Sequence, residues 1–358
     1  GSRWDPAFPL RAARLDGRVV EVRRSELAFD VDEGRALVAA TIAAGLLLTA
    51  CSPSAPAAPE PTDSAAPAAE ITIGSMIWNT SVPFYSNFIK GQQETAEALG
   101  VKLTIVDGKG DIGTEVAGIQ QLIAQGVDAI LVTPSDAKGI VPAVKKANEA
   151  GIPVFAVNNR ADDEAAEIVT FIGADDVEFG RQQAKLVAET LADGGKIAYM
   201  MGALGTSAQL LRKQGFDEVM AGYPNIEVVA EQTANWDAAK ALALTQDWLG
   251  KYGPGSLDMI VAQGPEAANS AKYARESGRD DVLFVVGDYP AEVRQGILDG
   301  YIYGTVNQDP RPQGERSVEA AVQWVKGEKD KVSQPNEFLE LPIVTKDNVA
   351  DHPAAWGA

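Results

Sequence analysis

The stretch DAILVTPSDAKGIVPAVKKANEAGIPVFAVNN at residues 128–159 decides the fold class. It opens with the apolar strand pattern DAILVTP, continues through a helical pattern from residue 140 to residue 150, and ends after Gly151 with the strand pattern IPVFAVNN. Strands that are apolar throughout are typical of a parallel sheet, because helices cover both of its faces. This strand–helix–strand unit therefore predicts an α/β fold.

The same alternation extends toward both ends of the chain. Before this unit lie the strand patterns ITIGSMI and VKLTIVDG, with helical patterns at residues 83–99 and 116–125. A second series of strands and helices runs from GKIAYMMG at residue 195 to YGTVNQ at residue 308. We predict two doubly wound parallel-sheet lobes, with a helix at residues 313–326 and a strand at residues 338–344 added to them.

Length and composition limit the kinds of chemistry that the chain can perform. With 358 residues it is long enough for two domains that each bury a core. It contains one cysteine, Cys51, and one histidine, His352, which excludes disulfide frameworks, Cys/His metal sites and nucleophiles that depend on histidine. We predict no metal and no cofactor, and we expect His352 to be an exposed tail residue.

The formal net charge is −19, and the whole acidic excess lies after Cys51. Nucleic acids bind to clusters of Lys and Arg, so we expect no nucleic-acid partner. An acidic surface suits a soluble protein outside the cytoplasm, at the cell surface or in the periplasm. We also expect a monomer.

The N-terminal segment is typical of a secretory leader. The apolar run ALVAATIAAGLLLTA at residues 36–50 is too short to cross a membrane comfortably but fits the apolar core of a signal peptide. It ends in Leu48-Thr49-Ala50-Cys51, which resembles a bacterial lipobox. We predict a leader at residues 1–51, a lipid anchor on Cys51 as the only membrane attachment, and a proline-rich disordered tether at residues 52–70.

Short motifs in both series resemble the ribose-binding group of periplasmic sugar-binding proteins. They occur in the family's order, and the similarity covers nearly all of residues 71–345. The motifs are VPFY at residues 82–85, QGVDAI at 125–130 followed by Thr133-Pro134, GIPV at 151–154, GTSA at 205–208 with Gly215-Phe216, and VGD at 286–288.

This resemblance implies a type I periplasmic-binding-protein fold whose lobes are joined by three hinge crossovers, near residues 175, 308 and 338. The first lobe then takes residues 71–175 and 309–337, and the second takes residues 176–308 and 338–350. Ligands of open α/β sheets bind beyond the carboxyl ends of the strands, so the cleft between the lobes is the expected site. The family also implies hinge closure around a small sugar or polyol and delivery to an ABC permease, with no enzymatic activity.

A sugar or polyol presents flat C–H faces and hydroxyl groups, so its binding site needs aromatic rings and side chains that both donate and accept hydrogen bonds. Residues of these kinds follow the strand patterns of both lobes. The candidate ligand-binding residues are Trp78, Phe84, Tyr85, Asn158, Asn159, Arg160, Trp236, Gln263, Asp288 and Gln308. Trp248 has helical spacing from Leu244 and is predicted to be a core residue.

Some positions depart from the family's pattern. Four residues match ligand-contacting positions of the family: Phe84, Tyr85, Trp236 and Gln308. The family's Asp-Arg pair, in contrast, is replaced by Asn158-Asn159, with Arg160 next to it. At the position of the family's second-lobe arginine this chain has Leu210, with Arg212 two residues further along. At the positions of two family asparagines it has Gly264 and Val82. The resemblance therefore leaves several ligands open: a less hydroxylated or deoxy sugar, a methylated polyol, a nucleoside or a signalling furanone.

Other function classes have weaker support in the sequence. A glycoside hydrolase with two carboxylates could draw on Asp162-Asp163 or Asp175-Asp176, but both doublets lie in polar loops. A sugar-responsive repressor needs a DNA-binding helix pair where this chain has a leader and a tether. No glycine-rich phosphate loop follows a strand, and we interpret Gly74, Gly202 and Gly205 as tight strand-to-helix turns.

Overall fold

The computed structural model describes residues 70–162 and 164–357. The predicted leader, Cys51 and residues 52–69 of the tether lie outside these ranges, so their assignments stay predictions. Within the described ranges, no helix combines the length and the apolar character that a membrane crossing requires.

Strands and helices alternate along the described chain. The first series is β1 (Thr72–Ile77), α1 (Pro83–Leu99), β2 (Lys102–Asp107), α2 (Ile112–Gln125), β3 (Ala129–Thr133), α3 (Val141–Glu149), β4 (Val154–Val157) and β5 (Phe171–Gly173). The second series is α4 (Asp176–Thr190), β6 (Gly195–Met201), α5 (Ser207–Met220), β7 (Ile226–Thr233), α6 (Ala238–Lys251), β8 (Met259–Ala262), α7 (Ala268–Glu276), β9 (Leu283–Gly287), α8 (Ala291–Asp299) and β10 (Gly304–Val306). The last elements are α9 (Pro310–Val325), β11 (Asn336–Phe338) and β12 (Ile343–Thr345).

The strands form two six-stranded sheets, one in each lobe. The first sheet has the order β11-β5-β4-β3-β1-β2 and is parallel throughout. The second has the order β12-β10-β9-β8-β6-β7 and is parallel except for β12, which runs antiparallel to β10. The predicted fold class, two doubly wound parallel-sheet lobes, is confirmed.

The polypeptide passes between the two sheets three times. It leaves the first sheet after β5, returns from β10 through α9 to β11, and passes from β11 to β12 within four residues. The sequence pattern at residues 338–344 predicts one strand, and this is wrong, because Phe338 pairs in the first sheet and Ile343 in the second. The exact lobe boundaries stay a prediction.

Each lobe has its own apolar core on both faces of its sheet. In the first lobe, Phe88 of α1 and Phe155 of β4 are fully buried in one cluster, and α9 packs against α1. In the second lobe, Trp248 of α6 belongs to the cluster around β8 and β9 and is 3% exposed. The prediction that Trp248 is a core residue is therefore confirmed.

Candidate ligand-binding site

A cavity of about 200 Å³ lies between the lobes, and residues from both of them line it. Eight of the ten candidate residues contribute to its wall: Trp78, Phe84, Tyr85, Asn158, Asn159, Trp236, Asp288 and Gln308. They come together because the carboxyl ends of parallel strands meet at one edge of each sheet, and these two edges face each other. The cavity has room for a ligand of about one sugar ring, which agrees with the expected site.

Aromatic rings form the wall in the first lobe. Pro83 begins α1 and has no backbone N–H to leave unpaired, so Phe84 and Tyr85 follow in the first turn. The Tyr85 ring meets the ring of Phe84 edge to face at 5.4 Å and that of Trp78 at 6.3 Å. Edge-to-face packing fixes the orientation of each ring, so this wall is preformed.

The polar atoms of this wall are joined in a chain of hydrogen bonds. Trp78 Nε1 donates to the Tyr85 hydroxyl at 2.8 Å, and that hydroxyl donates to Asn158 Oδ1 at 2.8 Å. Asn158 Nδ2 then donates to Gln313 Oε1 at 3.1 Å and to Gln308 Oε1 at 3.4 Å. Since these atoms are already paired with one another, Trp78 and Tyr85 offer a ligand mainly their ring surfaces.

Trp236 provides the aromatic wall in the second lobe. It lies just after β7, is partly buried, and packs against the apolar cluster of the first lobe. Its indole occupies space that Gly202 and Gly264 leave open. Gly74 lies inside β1 against Leu122, so the interpretation of this glycine as a turn is wrong. Gly202 and Gly205 do lie in the short connection between β6 and α5, where Gly205 has a φ of +92°.

Three residues of the wall have left-handed backbone conformations. The φ angles are +61° at Asn158, +59° at Trp236 and +61° at Asp288. Such angles are uncommon for residues other than glycine, and for a bulky Trp they carry strain that the surrounding structure must offset. Strained backbone of this kind concentrates at ligand sites, which agrees with the place of the cavity.

Arg212 brings a guanidinium group to the cavity. Its Nε donates to Asp176 Oδ1 at 2.9 Å, its Nη1 donates to the Gln263 carbonyl at 2.7 Å, and its guanidinium lies 3.8 Å from the centre of the Phe179 ring. Leu210, on which the family's arginine falls, is 53% exposed. Arg212, and not Leu210, therefore brings the guanidinium group of the second lobe to the cavity, although much of its charge is already neutralised by Asp176.

The wall of the cavity contains more acidic side chains than basic ones. Glu266, Asp288 and Glu292 line the cavity, and neither oxygen of Glu266 nor Oδ1 of Asp288 has a hydrogen-bond partner among the described residues. Burial raises the pKa of Glu266 to about 8. Burial also raises the pKa of Asp288, to about 6, against the opposing effects of the Arg212 charge and of a hydrogen bond with Gln308.

Two of the candidate residues lie outside this cavity wall. The side chain of Gln263 is fully buried, donates to the Tyr199 hydroxyl and accepts from the Gly202 N–H, so it ties strands β6 and β8 together. The guanidinium of Arg160 lies 4.0 Å from the centre of the Phe171 ring, and its Nη1 donates to Asn336 Oδ1 at 2.8 Å. Both side chains turn away from the cavity because these partners hold them elsewhere.

The cavity also includes residues outside the set of candidates. Besides Arg212, they include Glu266, Asn269, Glu292 and Trp356. Glu266 follows β8 by a few residues, so it lies near the carboxyl end of a strand, as the other candidate residues do. Trp356 lies in the C-terminal segment, where no periodic pattern indicates its position.

The doublet Asp175-Asp176, one of the two that a hydrolase could use, has structural roles. Asp175 accepts a hydrogen bond from the Glu178 N–H and caps α4, while Asp176 pairs with Arg212. Asp163 lies outside the described residues. Among the residues that the structure describes, no group of three or more His, Cys, Asp and Glu side chains is arranged to hold a metal ion.

Two α/β lobes joined by three crossovers, with a small cavity between them, define a two-lobed binding protein of the type I periplasmic class. A family model described as periplasmic binding protein domain matches residues 73–329. The chain belongs to this family, which consists of extracytoplasmic binding proteins and not of enzymes.

Curated relatives extend over most of the chain. A xylitol-binding protein of Mycolicibacterium smegmatis is 33% identical over 313 residues, covering 87% of this chain and 85% of the relative. A ribose import binding protein of Bacillus subtilis is 32% identical over 283 residues, covering 79% of this chain and 90% of the relative.

Solved structures have the same architecture. An ABC transporter solute-binding protein of Bacillus halodurans with bound myo-inositol has a TM-score of 0.73 and 29% identity, covering 79% of this chain and 96% of that one. A solute-binding protein of Mycobacterium smegmatis with bound glycerol has a TM-score of 0.74 and 27% identity, covering 81% and 99%. Similarity thus spans both lobes.

Proposed function

We propose that this protein is an extracytoplasmic solute-binding protein that captures a small, uncharged polyol or sugar between its lobes and delivers it to an ABC importer. The observation that carries the proposal is a small cavity between the lobes to which both of them contribute an aromatic wall, Phe84 from one side and Trp236 from the other. Ligand contacts with both lobes stabilise the closed form, which is the form that an importer can recognise.

The charges around the cavity bear on the class of ligand. At neutral pH Glu266 is mostly protonated, because its pKa is about 8, but Asp288, with a pKa of about 6, is mostly ionised. Asp288 and the acidic Glu292 face one guanidinium, and Arg212 already pairs with Asp176. A ligand carboxylate or phosphate would meet like charges in a site of low dielectric, where repulsion is strong. Sugar acids and sugar phosphates are therefore disfavoured, whereas hydroxyl groups can donate to the unpaired carboxylate oxygens.

The relatives support a polyol or a neutral sugar over a nucleoside or a furanone. Their names and bound ligands include xylitol, ribose and myo-inositol, which share several hydroxyl groups on a small carbon frame. A nucleoside adds a base to a sugar ring, and a cavity of about 200 Å³ leaves little room for it.

A thermal-shift screen with the full chain tests the ligand class. Xylitol, ribose, myo-inositol, a nucleoside and a sugar acid such as gluconate form a suitable set. A ligand at 100 times its Kd stabilises the protein by about 2.7 kcal/mol, so a rise in Tm with a neutral polyol or sugar supports the proposal. A rise with gluconate alone, or with the nucleoside alone, contradicts it.

Small-angle scattering tests the closure. A bound ligand should reduce the radius of gyration without changing the mass, because the lobes rotate toward each other. A constant mass equal to that of one chain would also support the proposed monomer. A saturating ligand that leaves the scattering curve unchanged argues against hinge closure.

We also propose that a lipid on Cys51 holds the protein at the outer side of a membrane. The apolar run and the lipobox-like Leu48-Thr49-Ala50-Cys51 support this part of the proposal. The tether at residues 52–70 then lets the binding domain reach a permease in the same membrane.

A further inference from the structure

The C-terminal residues 351–357, which we call the C-terminal strap, are fixed to the second lobe by four hydrogen bonds. The Ala355 N–H donates to the Tyr289 carbonyl at 2.8 Å, and the Ala291 N–H donates to the Trp356 carbonyl at 2.9 Å. The His352 carbonyl accepts from the Tyr289 hydroxyl at 2.9 Å and from Arg294 Nε at 3.2 Å. The expectation that His352 belongs to an exposed tail is therefore wrong, because its main chain is bound to this lobe.

The strap also reaches the first lobe. Asn87 Nδ2, on α1, donates to the Ala355 carbonyl at 3.1 Å. The Trp356 ring meets the Phe84 ring edge to face, with centroids 5.6 Å apart and an interplanar angle of 83°. Ala355 thus bonds to one lobe through its N–H and to the other through its carbonyl, so the strap joins the lobes at a place outside the three crossovers.

Trp356 lies at the cavity itself. Its side chain is 8% exposed, belongs to the apolar cluster of the first lobe, and lines the same cavity as Phe84 and Trp236. When the lobes separate, the contacts of the strap with one of them must break. The first lobe holds it by one hydrogen bond, the ring contact with Phe84 and the apolar packing of Trp356. The second lobe holds it by four hydrogen bonds and by the chain itself, because the strap follows β12 of that lobe, so the break falls at Phe84 and Asn87.

We propose that the C-terminal strap is part of the ligand-binding site: it moves with the second lobe, closes the cavity with Trp356, and latches onto Phe84 and Asn87 to retain the ligand. Trp356 then limits the size of the bound molecule and offers an aromatic face to its C–H groups. A ring pair and a hydrogen bond each contribute modestly, and together they change the balance of open and closed forms by about tenfold.

Two variants separate the wall from the latch. Trp356→Ala removes the wall and the ring contact of the latch with Phe84, whereas Asn87→Ala removes only the hydrogen bond of the latch, because Asn87 does not line the cavity. Ser86→Ala is the matched control, since Ser86 is the preceding residue of the same helix and is exposed. Circular dichroism and thermal melts confirm that each variant is folded.

The first measurement needs no ligand. Small-angle scattering of the ligand-free full chain should give a larger radius of gyration for Trp356→Ala and Asn87→Ala than for the wild type and Ser86→Ala. Equal radii for all four proteins overturn the latch. This outcome does not depend on which ligand the protein binds, so it remains decisive even if the proposed function fails.

The second measurement rests on the proposed function and uses xylitol and myo-inositol as probes. Stopped-flow dissociation should be roughly threefold faster for Asn87→Ala, which removes one of the two latch contacts, and faster still for Trp356→Ala, while Ser86→Ala matches the wild type. Dissociation at the wild-type rate from Trp356→Ala overturns the role of the strap in binding. If neither probe binds the wild type, the proposed ligand class fails and the scattering result alone decides the latch.

Discussion

A Cβ atom on Gly202 would lie 1.8 Å from the indole of Trp236. The glycine at the end of β6 and the tryptophan after β7 therefore depend on each other, and their contact fixes the indole at the cavity. Gly264 offers a second open position, where a Cβ atom would lie 2.8 Å from the same indole. A side chain at residue 264 would therefore overlap with the indole of Trp236 in its present position.

Removing this indole should cost ligand binding more than stability. We expect Trp236→Ala to weaken binding by at least about 2 kcal/mol, or roughly 30-fold, with little change in Tm, because the ring is partly exposed at the cavity. Trp248→Ala should instead destabilise the fold by about 3 to 5 kcal/mol, since it empties a buried site. Calorimetric titration and thermal melts measure both effects, and normal binding by Trp236→Ala would falsify the assignment of Trp236 to the cavity wall.

The Tyr85 hydroxyl is the central link between Trp78 and Asn158. Tyr85→Phe leaves a buried donor on Trp78 and a buried acceptor on Asn158 without their partner, which should reduce the free energy of unfolding by about 1–3 kcal/mol. Tyr223→Phe is a control with the same chemical change, because Tyr223 is exposed. Urea unfolding measures both variants, and equal stabilities would show that the chain of hydrogen bonds contributes nothing.

The pair of Arg212 and Asp176 is almost fully buried. Arg212→Met removes the partner of a buried carboxylate, so we expect a loss of about 3–5 kcal/mol in the free energy of unfolding. The exposed pair of Arg181 and Glu218 offers a control, and Arg181→Met should leave the free energy of unfolding nearly unchanged, because solvent screens this pair. Chemical denaturation of the two variants compares them directly, and a result in which Arg181→Met costs as much as Arg212→Met contradicts the role of burial.

The buried carboxylates predict how stability depends on pH. Burial raises the pKa of Glu266 to about 8 and that of Asp288 to about 6 in the folded protein. At a pH between the pKa of such a group in the unfolded chain and its pKa in the folded protein, the folded protein therefore binds more protons than the unfolded chain. The free energy of unfolding of the ligand-free protein should therefore fall as the pH rises from about 5 to about 8. Glu266→Gln should flatten this slope, and the exposed Glu97→Gln should not. Thermal melts across this pH range would contradict the prediction if Glu266→Gln and wild type gave parallel curves.

The lipid anchor on Cys51 is tested by its removal. Cys51→Ser should release the protein from the membrane fraction into the medium, because no other attachment is proposed. Detergent phase partitioning of the wild type and the variant measures this release. Ser52→Ala is the matched control and should stay with the detergent phase, whereas partitioning of Cys51→Ser into detergent excludes lipidation at this residue.

The sequence predicted the parts of the fold that depend on local patterns. The strand–helix–strand unit at residues 128–159 could be predicted because each element is long enough to show its period. The three-residue strands β5 and β11 are too short for any period, and the pattern at residues 338–344 hides a passage between sheets. Such strands form because neighbouring strands present free hydrogen-bonding groups, and this depends on the assembled sheet.

The cavity could be predicted only where position along a strand determines it. Asn158 and Asp288 follow strand ends and reach the cavity wall. Gln263 also follows a strand end, but Tyr199 and Gly202 hold its side chain away from the cavity. Trp356 reaches the site through contacts with Phe84 and Ala291, residues far from it in sequence, so no local pattern marks it.

The three passages between the sheets also set the order in which the lobes can be completed. The first lobe needs α9, whose Ser317 bonds to Gln92 of α1, and the edge strand β11 beside β5. Both elements follow β10, so they leave the ribosome only after nearly the whole second lobe has been synthesised. Neither lobe is a continuous piece of chain, so the first lobe cannot be completed before most of the second has been synthesised.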